Sequence, residues 1–114
     1  MKLVALAAVV AALTLPAASL AAAPVLKGTD GPGFTITLTQ NGKKVKTLKA
    51  GTYTFKIDDK SDIHNFHLKG PGVDKKTTVG EKATKTWKLK LKKGKYTFVC
   101  DPHKSFMKGS FTVS

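Results

Sequence analysis

The chain has 114 residues, with 20 lysines, no arginine, 7 acidic residues and a formal net charge of +13. That length allows one small domain. The single cysteine, Cys100, excludes a disulfide-stapled scaffold and a cysteine-rich zinc module. Ten of the 12 alanines lie in the first 23 residues, and 13 of the 14 threonines lie beyond them. The body of the chain therefore does not read as an alanine- and leucine-rich helical bundle.

The first segment reads as an address. Lys2 gives a positive start, and Leu3 to Leu15 is an apolar run shorter than the about 20 residues of a spanning helix. Pro16 interrupts it, and Ser19-Leu20-Ala21 has the small-x-small pattern of a secretory cleavage site. The expectation is a signal peptide over residues 1–21 and a mature domain over 22–114. A cut after Ala23 is the less favourable variant, because Pro24 would follow it. An uncleaved anchor competes, since Leu3 to Ala23 is almost entirely apolar. No cysteine stands near the cut to take a lipid. On either reading the domain is exported, to a periplasm or an extracellular space, where conditions are oxidising.

From Pro24 onward the signals are those of strands. Phe34, Ile36 and Leu38 alternate with threonines. Tyr53, Phe55 and Ile57 alternate with Thr52, Thr54, Lys56 and Asp58. Trp87, Leu89 and Leu91 alternate with Lys88, Lys90 and Lys92, and Tyr96, Phe98 and Cys100 with Lys95, Thr97 and Val99. Phe111 and Val113 close the chain. Period-two alternation predicts one buried and one wet face. Turn residues separate the runs: Asn41-Gly42, Gly51, Gly70-Pro71-Gly72, Gly80, Lys93-Gly94 and Lys108-Gly109. Short strands without helical periodicity predict an all-β antiparallel sandwich or barrel. The segment Gly51 to Asp58 echoes Gly94 to Asp101, which puts Cys100 in the inward register of Ile57.

The chemistry concentrates in His64, His67, Cys100, His103 and Met107, which are all the histidines, the one cysteine and the one methionine after the initiator. Cys100 ends an alternating strand, Asp101-Pro102 turns the chain, and the spacing is Cys-x2-His-x3-Met. Thiolate and thioether are soft donors that favour Cu(I), and imidazole serves both copper states. Zinc accepts cysteine and histidine, but methionine is a poor zinc ligand. Taken singly, each residue has a plainer role: Cys100 as a buried small hydrophobe, His64 as a strand-edge histidine, Met107 as core filler before Phe111. If His64 opens a strand, His67 falls on the opposite face, as a surface histidine.

Asp62-Ile63-His64-Asn65-Phe66, then Gly70-Pro71-Gly72-Val73, then Tyr96 to His103 and Met107 resemble the cupredoxin family, its small plastocyanin-like members in particular. The resemblance covers essentially the whole mature chain. It implies a Greek-key β-sandwich with one copper at its end. It further implies His64, Cys100, His103 and Met107 as copper ligands, and Asn65 as the tie between the two ligand-bearing loops. Three residues separate His103 from Met107, between the longer spacing of plastocyanins and the shorter one of amicyanins. By family geometry the His103 edge lies near the surface, within an apolar patch of Phe106, Pro102 and the Gly70 to Val73 turn.

The function this implies is an exported blue-copper electron carrier, not an enzyme. A periplasmic copper carrier or chaperone without redox cycling is the alternative. An oxidase would need further histidines, and only His67 is spare. The lysines serve solubility or steer an anionic partner, either an acidic redox protein of cytochrome or oxidase type or an anionic membrane surface. The absence of arginine and the export signal count against nucleic acid. A monomer is expected.

Overall fold

The computed structural model describes residues 22–114, together with Val4, Ala7 and Ala8. The expected signal peptide otherwise lies outside the described residues. Among the described residues no helix is long and apolar enough to cross a membrane.

Among the described residues ten strands follow in order: β1 (Val25–Asp30), β2 (Ile36–Gln40), β3 (Lys43–Lys44), β4 (Thr47–Leu48), β5 (Gly51–Asp59), β6 (His67–Gly70), β7 (Val73–Lys76), β8 (Ala83–Leu91), β9 (Gly94–Val99) and β10 (Lys108–Val113). They form two five-stranded sheets, ordered β3-β2-β1-β5-β8 and β4-β10-β9-β6-β7. Pairing is antiparallel except for β1 beside β5 and β4 beside β10. The result is the all-β sandwich that the alternation predicts, in the Greek-key form that the family resemblance implies. Asn41 and Gly42, both at positive φ, make the tight β2–β3 hairpin turn that Asn-Gly signals.

The inward residues of the long strands meet in one core. Leu26 and Phe55 are fully buried, as are Ile57, Phe66, Leu68 and Tyr96. Burying each such side chain contributes about 1.5–3 kcal/mol. The Phe66 and Phe98 rings stack at 5.6 Å, and those of Tyr96 and Phe111 at 5.2 Å. β9 fits its two large rings against its neighbours through missing side chains. A Cβ at Gly109 of β10 would run into the Phe98 ring, and one at Gly70 of β6 into the Tyr96 ring. On β8, Lys88 and Lys90 take the wet face as expected, with Trp87 and Leu89 half-buried behind them.

Three local expectations change. Phe34 is not an inward strand residue. β2 begins at Ile36, and Phe34 is 58% exposed in the preceding loop, which is closed by Gly31 N–H donating to the Thr35 carbonyl at 3.0 Å. β6 begins at His67, so His64 stands in the loop before it. The Gly70 to Val73 turn lies at the other end of the sandwich from Cys100. Pro71 abuts Gly94, and its carbonyl accepts from the Tyr96 hydroxyl at 3.4 Å. β6 runs antiparallel to β9 and carries that turn away from the end where His67 faces Val99. It is therefore no part of a patch around His103.

Candidate metal centre

Two loops meet where β9 ends and β6 begins. The first follows Val99. Cys100 is fully buried, and a single 3-10 turn, Asp101–His103, starts immediately after it with Pro102 inside. His103 N–H donates to the Cys100 carbonyl at 3.0 Å and Met107 N–H to the His103 carbonyl at 2.8 Å. The Cys100 amide donates back to the Met107 carbonyl at 3.0 Å and closes the loop. Met107 is 1% exposed.

The second loop joins β5 to β6 and carries His64. The Asp59 carboxylate accepts from Ser61 N–H at 3.2 Å, and Ser61 Oγ accepts from Ile63 N–H at 3.2 Å. Thr77 anchors the other end: its hydroxyl accepts from Phe66 N–H at 2.9 Å and donates to Asp59 at 3.0 Å. Asn65 ties the two loops. Its Nδ2 donates to Asp101 Oδ2 at 2.8 Å, and its Oδ1 accepts from Asp101 N–H at 2.8 Å. A third bond, Nδ2 to the Thr77 carbonyl at 3.3 Å, fixes the side chain against the segment that follows β7.

These ties bring three expected residues together. His64 Nδ1 lies 3.1 Å from His103 Nδ1, and Cys100 Sγ lies 3.6 Å from the former and 3.4 Å from the latter. A point equidistant from the three atoms is about 2 Å from each, close to an ordinary metal–imidazole bond. The triangle thus fits one metal ion. Among the described residues, His64, Cys100 and His103 are grouped for metal binding. Burial pushes the Cys100 thiol above its ordinary range, against the opposing pull of the Asn65 and His103 backbone amides. A thiol and two imidazoles, with a buried thioether in the same loop, suit copper better than zinc.

The site is closed on its inner side and open at one edge. His64 is fully buried. His103 is half-buried between two exposed rings: Phe34 at 5.1 Å centroid distance and Phe106 at 5.6 Å. Phe106 belongs to the apolar rim as expected. Phe34 replaces the Gly70 to Val73 turn there. Its signal was an aromatic residue directly after Gly31-Pro32-Gly33, a stretch that reads as a connection.

His67 is not a free surface histidine. It points to the outer side of its sheet, but it is only 9% exposed. Its Nδ1 lies 2.8 Å from Asp101 Oδ1, and its Nε2 lies 2.6 Å from Asp74 Oδ1. It therefore reinforces the Asp101 side of the loop tie. Parity counted from His64 does not fix its direction, because His64 lies outside the strand, and the carboxylates covering it come from β7 and from the Cys100 loop.

A sandwich that gathers a thiol and two imidazoles between two tied loops at one end, with a buried methionine in the same loop as the thiol, has the architecture of a mononuclear copper protein. The cupredoxin-like domain family matches residues 3–113, and the chain belongs to that family: it is a blue copper protein, and its cofactor is one copper ion. No curated relative matches the sequence. Among solved structures the chain is similar to reduced auracyanin from the photosynthetic bacterium Roseiflexus castenholzii, at 20% identity and a TM-score of 0.56, covering 82% of this chain and 98% of that one. It is also similar to rusticyanin from Thiobacillus ferrooxidans, at 20% identity and a TM-score of 0.54, covering 79% and 76%. These two likenesses bear on the fold.

Proposed function

We propose that the protein is an exported single-electron carrier whose copper is held by His64, Cys100, His103 and Met107. The observation that carries this is the preset triangle of one sulfur and two nitrogen atoms, fixed by the Asn65–Asp101 tie. Copper, when bound, supplies the one-electron couple. The chain's own residues do the rest. Cys100 would hold the ion through a buried thiolate, which would lower the charge of the centre. His64 and His103 would hold it through their imidazoles, and Met107 would offer a soft thioether that tunes the potential. The bracing of both loops keeps these donors in place through a change of oxidation state, so little reorganisation opposes transfer. His103 reaches the surface between Phe34 and Phe106, where an apolar contact excludes water and lets a partner approach the ring edge. We read the role as that of a carrier and not of an enzyme, which membership of the cupredoxin-like family supports. Burial of His64, Cys100 and Met107 supports retention of the ion over the ready exchange expected of a copper chaperone.

The apolar, proline-broken sequence of residues 1–21, read as a leader, supports export to the periplasm or beyond. The charge of +13 supports an anionic partner.

One equivalent of copper(II) should turn the mature chain intensely coloured. A one-electron reductant should bleach it and an oxidant restore it, over repeated cycles. A protein that stays colourless, or loses its copper on reduction, would overturn the carrier role. The lysines make a second expectation. Electron exchange with an anionic acceptor such as ferricyanide should slow as added salt shrinks the Debye length from about 10 Å to about 3 Å. Stopped-flow rates that ignore salt would return the lysines to solubility alone.

A further inference from the structure

Two acids face inward at the copper end of the core. Asp30 ends β1, Asp59 ends β5, and the parallel register sets them side by side. Asp30 is fully buried and Asp59 is 2% exposed. Both oxygens of Asp59 accept hydrogen bonds, from Ser61 N–H and from the Thr77 hydroxyl. Neither oxygen of Asp30 has a hydrogen-bond partner among the described residues. An ionised Asp30 would be an unpaired buried charge beside a second carboxylate, an arrangement costing several kcal/mol. A protonated Asp30 becomes a donor, and Asp59 is the acceptor next to it.

The pair adjoins the metal centre without belonging to either ligand-bearing loop. The residue after Asp30 packs against the His64 loop: a Cβ at Gly31 would lie 2.9 Å from Ser61 Cβ and 3.4 Å from His64 Cδ2. Asp59 is bonded through Ser61 to Ile63, the neighbour of His64. The charged and titratable groups around Asp30 are Asp59 and Asp58 from β5, Lys60 just beyond, His64 from the next loop and Cys100 from the end of β9. Ile36, its partner on β2, is uncharged. Lys60 is paired with Asp58 at 3.9 Å and turns to solvent.

We propose that Asp30 and Asp59 form a one-proton site linked to the copper, so that the protein takes up a proton at Asp30 when it takes up an electron. This deepens the electron-carrier reading and rests on it. One electron passes from a one-electron donor to the metal centre, and one proton passes from solvent to the Asp30 carboxylate as a new O–H bond. The buried charge then stays constant. Burial first, then the hydrogen bond that a protonated Asp30 donates to Asp59 and the charges of Asp59 and Asp58, push the Asp30 carboxyl up to about 8. The charge of Asp30 is also felt at the Cys100 thiol. Linkage makes the effect reciprocal: the oxidised centre expels the proton, and the proton favours reduction.

The test is the reduction potential of the copper-loaded protein against pH, with the visible band recorded throughout. The potential should fall with rising pH through a window near 8 and level off on either side. A tenfold difference in proton affinity between the two oxidation states separates the plateaus by about 59 mV. Asp30→Asn should remove the step and hold the potential at the acid plateau. Asp59→Asn removes the neighbouring charge and should move the step to lower pH. Redox-difference infrared spectra at pH 8 should show a carboxylic acid band growing on reduction, absent in Asp30→Asn. A coloured protein whose step survives Asp30→Asn, or whose reduction brings no carboxylic acid band, would overturn the proton link alone. A colourless protein would overturn the copper-carrier reading beneath it.

Discussion

Cys100→Ser should abolish the visible band of the copper-loaded protein and leave the sandwich folded. The colour expected of the wild type is charge transfer from a thiolate to copper, and Cys100 is the chain's one sulfur able to ionise. Serine keeps the shape of the side chain but offers a harder oxygen whose proton is not lost at neutral pH. The fold should persist because the inward aromatic core of β5, β9 and β10 does not depend on this sulfur. A buried hydroxyl in its place costs about 1–3 kcal/mol. The same residue makes copper binding a proton-releasing event. Burial raises the thiol above its ordinary 9.0, so the copper-free protein holds it protonated at neutral pH. A ligand that must ionise gives up its proton to the metal, and apparent copper affinity should rise about tenfold per pH unit below that value. Calorimetry in buffers of different ionisation enthalpy measures the protons released. The serine variant should release one fewer per copper. A serine variant that stays coloured would remove the thiolate from the metal.

What could be read from the sequence divides along local and non-local lines. The strands with strict alternation, β5, β8, β9 and β10, were legible because each buries one face and wets the other. Cys100, His103 and Met107 were legible as a group because one short loop holds all three, and loop spacing is a local property. His64 was reached through its pairing with Asn65, and the two hydrogen bonds between Asn65 and Asp101 supply the physical reason for that pairing. Phe34 misled because its alternation with Ile36 and Leu38 continues backward into a loop, where side-chain parity no longer holds. The Gly70 to Val73 turn misled because it was placed by family resemblance and not by its position on a strand. Four residues of β6 span about 13 Å and carry it away. Asp30 and Asp59 were invisible as a pair, since only the parallel β1–β5 register joins them.

Asn65→Ala should cost more stability than His67→Ala, although both side chains hold Asp101. Asn65 is 1% exposed and makes three hydrogen bonds. Alanine would leave the Asp101 amide and the Thr77 carbonyl without partners where water enters poorly. The expected loss is about 2–4 kcal/mol in the copper-free protein, read by denaturant unfolding. His67 bonds to two carboxylates, but the Asp101 and Asp74 side chains are 41% and 66% exposed, so water can replace it. Its loss should cost about 1–2 kcal/mol, with the visible band retained. The pH dependence separates the two roles further. Burial pushes the Asp101 carboxyl up, but hydrogen bonds from Asn65 and His67 outweigh it and hold the group below its ordinary 3.8. A carboxyl lowered on folding stabilises above 3.8, and that stability is lost as pH falls through the folded value. The wild type should therefore weaken steeply on the acid side, and each variant should weaken less steeply there. In the copper-loaded protein, the Asn65–Asp101 tie sets the spacing of Cys100 from His64. Asn65→Ala should thus shift the reduction potential and speed copper loss to a chelator, with His67→Ala following in the same direction and to a smaller extent. Should His67→Ala shift the potential more than Asn65→Ala, the Asp101 side of the tie would set that spacing, and His67 would be its main support.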